Sequence, residues 1–87
     1  MSDPLEGAFP CEFPIKVVGR GDAGLQAAAT AIVERHMGPL EPQRLRTRTS
    51  TDGNFLSLTF TVYAESRAQL DAVYRELTAC EGVMLAL

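Results

Sequence analysis

At 87 residues the chain is one small domain with a modest core. Its apolar content excludes a disordered chain, and no uncharged apolar run is long enough to span a bilayer. A net charge of −3 argues against bulk coating of nucleic acid.

Residues 1–12 hold three acids and two prolines with no usable period and read as an N-terminal arm docking through Phe9 and Pro10, followed by a single domain over 13–87. The opening Met-Ser-Asp-Pro-Leu-Glu-Gly has neither a basic nor an apolar region of secretory type. Cys11 and Cys80 are too few for a disulfide framework and form no Cys-x-x-Cys pair, so both are expected as reduced thiols of a cytoplasmic protein.

Phe13 to Arg20 is a short apolar-rich run bounded by Pro14 and Gly19, and predicts a strand with Phe13, Ile15 and Val17 on one face and Lys16, Val18 and Arg20 on the other. Asp22 suits a helix N-cap. Leu25, Ala28, Ala29, Ile32 and Val33 recur at helical spacing, and Gly38-Pro39 ends the helix. Gln43 to Ser50 alternates Leu45, Thr47 and Thr49 with Arg44, Arg46 and Arg48, which predicts a strand with a wet arginine face. Asp52-Gly53 then predicts a type I′ hairpin turn into a strand over Phe55 to Ala64. That register sends Leu56, Leu58, Phe60 and Val62 inward and Phe55, Ser57, Thr59, Thr61 and Tyr63 outward. Ser66-x-x-Gln69 is a capping-box pattern opening a helix with Leu70, Val73, Tyr74 and Leu77 on one stripe. Val83 to Leu87 predicts a last, central or near-central strand.

The order strand, helix, strand, strand, helix, strand predicts an α+β fold: a ferredoxin-like βαββαβ sandwich with two helices on one face of a four-stranded antiparallel sheet. The expected core is Ile15, Val17, Leu25, Ile32, Val33, Leu56, Leu58, Phe60, Val62, Leu70, Val73, Tyr74, Leu77, Val83, Leu85 and Leu87. The other sheet face is left open.

Two features invite a functional reading. Gly19, Gly21 and Gly24 match G-x-G-x-x-G between a strand and a helix. A dinucleotide fold needs a second mononucleotide half that this chain cannot hold, so the run reads as a strand-to-helix turn or as a small effector or anion site at a helix N-terminus. The second feature is the arginine alternation. Arg44, Arg46 and Arg48, joined by Lys16 and flanked by Phe55 and Tyr63, would form a basic and aromatic patch on the open face. Such a patch fits a solvated edge strand, a protein or ligand contact, or RNA stacking, although the RNP-type run is absent. His36, the only histidine, sits at a helix end where the dipole favours its cationic form, and no spacing gives it metal-binding partners. No catalytic constellation, cofactor motif or metal site can be named, so the expectation is a protein that is not an enzyme.

The segments Phe9-Pro10-x-x-Phe13-x-x-Lys16-Val17-Val18-Gly19, Ser50-x-x-Gly53-Asn54-Phe55-x-Ser57-Leu58-Thr59, Leu70-x-x-Val73-Tyr74-x-x-Leu77 and Val83-x-x-x-Leu87 resemble the YbeD-like family of small bacterial proteins. The resemblance covers almost the whole chain from Phe9. It implies a ferredoxin-like fold similar to ACT regulatory domains, a non-catalytic regulatory role and an association with lipoate regulation. ACT domains sense small molecules at dimer interfaces near the strand-1-to-helix-1 turn, which here is Gly19 to Gly24. Where the family usually has tyrosine after Gly-Asn, this chain has Phe55. The expected partner is a protein or a small effector; a homodimer and an RNA ligand are the alternatives, and no membrane contact is expected.

Overall fold

The computed structural model describes residues 9–21 and 23–87. Strand β1 (Cys11–Arg20) leads into helix α1 (Ala23–Met37), then β2 (Leu45–Thr49), β3 (Phe55–Ala64), helix α2 (Arg67–Ala79) and β4 (Val83–Ala86). The sheet is antiparallel with order β2-β3-β1-β4, consistent with the ferredoxin-like α+β fold that the chain order predicts. Strand β1 starts two residues before Phe13, because Cys11 and Glu12 still pair with Ala64 and Tyr63. The Phe9–Pro10 peptide is cis, and Phe9 packs against the edge of the core. The rest of the arm, residues 1–8, and the N-cap assigned to Asp22 lie outside the described residues.

The core fills the space between helices and sheet. Ile15, Val17, Leu58, Phe60 and Val62 rise from the two central strands and meet Leu25, Ala29, Ile32 and Val33 of α1 and Leu70, Val73 and Leu77 of α2. Period-2 and period-3.6 stripes thus face each other, which is why alternation and helical spacing locate these residues from sequence. Leu56 and Tyr74 pack at its rim. No side-chain polar atom among the described residues is both buried and unpartnered.

The caps follow the local chemistry. Gly38 takes φ +85° and its N–H donates to the Glu34 carbonyl, closing α1. The Glu34 carboxylate then accepts from the Leu40 N–H at 2.8 Å. At α2, Ser66 Oγ accepts from the Gln69 N–H at 3.2 Å, and Gln69 Oε1 accepts from the Glu65 N–H at 2.8 Å. The return bond of the box therefore lands one residue upstream of the expected Ser66 N–H. Gln69 Nε2 also donates to the His36 carbonyl at 3.0 Å, tying the start of α2 to the end of α1.

Three expectations are corrected. The hairpin turn is not type I′: only Gly53 has positive φ in the loop, while Asp52 keeps a negative φ, and the Gly53 N–H donates to the Ser50 carbonyl at 2.9 Å. Asp52 instead acts through its carboxylate, which accepts from Ser50 Oγ at 2.7 Å and from the Asn54 N–H at 3.0 Å. The expected facing of the flanking strands survives, with Thr47 opposite Leu58 and Thr49 opposite Leu56.

Strand β4 is an edge, paired only with β1, and not central. Its facing is also reversed beyond Val83. Val83 pairs with Gly19, but the next β1 residue, Val18, pairs with Leu85, so Met84 is an extra, bulged residue. Val83 and Ala86 therefore point to the core, while Leu85 (48% exposed) and Leu87 (60% exposed) stand on the open face.

Arg44 is not on β2. Pro42 opens a short 3₁₀ turn, Pro42–Arg44, in which the Arg44 N–H donates to the Glu41 carbonyl, and the strand starts only at Leu45.

Candidate functional site

Register alone assembles the open face. Arg46 lies opposite Thr59, and Thr59 lies opposite Lys16 on its other side. One step along, Arg48, Ser57, Val18 and Leu85 form a parallel row across all four strands. Lys16, Arg46, Arg48, Ser57 and Thr59 line one shallow depression. Sequence alternation had already put Ser57 and Thr59 outward; their meeting with the cations needed the β1–β3 register.

Phe55 and Tyr63 are on this face but at opposite ends of β3, opposite Arg20 and Glu12. Eight residues of strand separate them by about 27 Å, so they flank the cations and do not stack beside one another. Arg44 reaches the same face from its turn and is paired there with Glu12 at 3.0 Å. Leu85 and Leu87 complete an apolar margin along β4 that no local sequence signal announces.

The strand-to-helix turn is built differently. A Cβ on Gly19 would meet the Gly82 carbonyl oxygen at 2.3 Å, and one on Gly21 would meet the Gly53 carbonyl oxygen at 2.6 Å. The Gly21 N–H donates to the Asn54 carbonyl at 2.9 Å. Gly19 and Gly21 thus let β1 pass close to β4 and to the hairpin, and this packing accounts for both. Gly24 lines a depression with Arg20, Leu25, Gly82, Val83 and Met84.

His36 joins the two helices. Its Nε2 donates to Glu76 Oε1 at 2.6 Å, and Arg35 pairs with the same carboxylate. The His36 hydrogen bond, aided by the Arg35 charge, holds the Glu76 carboxyl below its usual range. Hydrogen bonds from the Asn54 N–H and Ser50 do the same for Asp52. Each depressed carboxyl stabilises the fold fully above its ordinary value and loses that contribution as pH falls through its folded-state value. Replacement Glu76→Gln is therefore expected to lower the melting temperature at pH 6 and to lower it by a smaller margin at pH 3, below the ordinary carboxyl value of 4.5. Thermal unfolding at both pH values checks this; an equal deficit at each would show that the carboxylate charge is irrelevant.

Among the described residues, no group of three or more His, Cys, Asp or Glu could hold a metal ion, and no helix is long and apolar enough to cross a membrane. Residues 6–87 match the model of the family described as "Protein of unknown function (DUF493)". The chain is 39% identical over 79 residues to a UPF0250 protein of Paraburkholderia phytofirmans, covering 91% of this chain and 89% of that protein. The chain belongs to this family. A UPF0250 protein of Leptothrix cholodnii is 43% identical over 79 residues, and one of Bordetella pertussis 42%, each match covering 91% of this chain and 87% of the relative. The YbeD-like family resemblance is thereby shown. In UPF0250 terms, the Ser50-x-x-Gly53-Asn54 motif has a structural account. Ser50 Oγ bonds to Asp52 and to the Phe55 N–H, Gly53 supplies the positive φ, and the Asn54 carbonyl holds Gly21.

Proposed function

We propose that this UPF0250 protein is a small, non-enzymatic regulatory adaptor of the cytoplasm that docks an acidic protein surface on its open sheet face. The supporting observation is the cluster of Lys16, Arg46 and Arg48, none of which has an ion-pair partner among the described residues. With a net charge of −3 the chain repels polyanions at long range, which favours a local acidic patch over RNA. Exposed Phe55, Tyr63, Leu85 and Leu87 around the cations supply the apolar contact that a protein interface uses. The YbeD-like resemblance adds lipoate regulation as the process served. Small-effector binding at the Gly19–Gly24 turn is the weaker reading, since packing accounts for Gly19 and Gly21.

The triple variant Lys16→Gln, Arg46→Gln, Arg48→Gln is expected to change stability by less than about 1 kcal/mol, because all three side chains are solvent-facing. It is also expected to lose a partner captured by the wild-type protein from native cytosol. With that partner purified, added salt should act mainly on the association rate. Retained binding by the triple variant would refute the reading. So would RNA as the captured species, with an affinity falling at a log–log slope of about −0.7 per phosphate contacted.

A further inference from the structure

Edge protection explains only part of the cationic cluster. Arg46 and Arg48 are on β2, an edge strand, where charge deters pairing with other chains. Lys16 is on β1, with β3 on one side and β4 on the other, and has no edge to defend. Strand spacing places the Cα atoms of Lys16 and Arg46 about 10 Å apart with Thr59 between them, and Arg48 about 7 Å along β2. Three positive charges rooted this closely repel one another, since the screening length at physiological salt is itself about 8 Å.

Among the described residues the depression itself holds no counter-charge, while on its other side Arg46 borders Glu12 and Glu41. Arg35, Arg44 and Arg67 each hold a carboxylate, but no acid lines the depression between Lys16, Arg46 and Arg48. Its floor instead presents the Ser57 and Thr59 hydroxyls, neither of which has a hydrogen-bond partner among the described residues. Two guanidinium forks, an ammonium and two hydroxyls are all able to donate. They surround a space of about 340 Å³, ample for one tetrahedral oxoanion with a substituent. Guanidinium groups grip two oxygens at once, and an ammonium adds a point charge.

We propose that this depression binds a small phosphate monoester or free phosphate through its dianionic phosphate group. A dianion offsets most of the triple positive charge and offers enough acceptors for all five donor groups; a single carboxylate does neither. The proposal rests on the open face being a binding surface, as the adaptor reading also holds. A bound phosphate would compete with the partner's carboxylates and so regulate docking.

The test is an amide ¹H–¹⁵N titration of the isolated protein at pH 7.5, with inorganic phosphate in one arm and phosphoserine in the other, and ionic strength held constant with chloride. Saturable shifts are expected at Lys16, Arg46, Arg48, Ser57 and Thr59. Arg48→Gln and Lys16→Gln should each weaken binding about tenfold, while Arg75→Gln on α2 should leave it unchanged. Tighter binding of phosphoserine would identify an ester as the ligand, and equal binding the free ion; either supports the site. Non-saturating shifts, shifts matched by chloride, or unchanged affinity in Lys16→Gln would overturn it. An oligonucleotide that binds where phosphate does not would also overturn it. Phosphate binding with no protein partner would count against the adaptor reading alone, and a partner without phosphate binding against the phosphate site alone.

Discussion

Gly19→Ala is expected to destabilise the protein by about 3 kcal/mol or more, shown by a large fall in the urea midpoint. The added methyl would sit 2.3 Å from the Gly82 carbonyl oxygen and 2.8 Å from Leu25 Cδ2. Leu25 could turn its side chain at some loss of packing, but a backbone carbonyl cannot be rotated away. Gly82 would have to retreat, breaking the bond its carbonyl accepts from the Arg20 N–H at 3.3 Å and loosening the start of β4. A chain of this length has a total stability of about 4–13 kcal/mol, so the loss is a large fraction of it. Gly38→Ala separates collision from strain: its φ is +85° with nothing within 4 Å of the added carbon, and the expected loss is only about 1 kcal/mol. Should Gly19→Ala unfold within about 1 kcal/mol of the wild type, the close approach of β1 to the β4 turn would be wrong.

That approach also gives the first two glycines of G-x-G-x-x-G a packing role. The pattern marks places where a backbone comes unusually close to something, and sequence does not say what. In this chain Gly19 faces the Gly82 carbonyl and Gly21 the hairpin, partners 63 and 32 residues away along the chain. Elements whose causes are local were legible: the α1 stripe ending at Gly38, the Ser66 cap, and the β3 alternation that buries Leu58, Phe60 and Val62. Arg44 was misplaced because alternation continues unbroken through Gln43 and Arg44, while Pro42 is already winding the backbone into a turn. At the candidate site, Lys16, Arg46, Arg48, Ser57 and Thr59 were each assigned to the outer face from alternation. Only the pairing register shows that they meet, and only the ion-pair pattern shows that the cations are left without carboxylates.

The β4 bulge was not legible at all, and a substitution pair tests it. Ala86→Asp is expected to cost about 3 kcal/mol, because Ala86 pairs with Val17 on the core side and packs against the apolar cluster, where a carboxylate finds no described hydrogen-bond donor waiting. Leu85→Asp is expected to stay within about 1 kcal/mol of the wild type, since Leu85 is half exposed beside Val18 on the open face. Strict alternation through Val83, Leu85 and Leu87 demands the opposite order of costs. Urea unfolding of both variants decides between them. The same pair bears on binding. Leu85 and Leu87 are an apolar margin for a partner only if Met84 is the extra residue that turns them outward. Leu85→Asp should therefore weaken partner docking, and because Lys16 lies on the neighbouring strand β1, its carboxylate should weaken phosphate binding as well. If Leu85→Asp proves the more destabilising, β4 has no bulge, Leu85 belongs to the core, and the open face is bounded on that side by Ala86 instead.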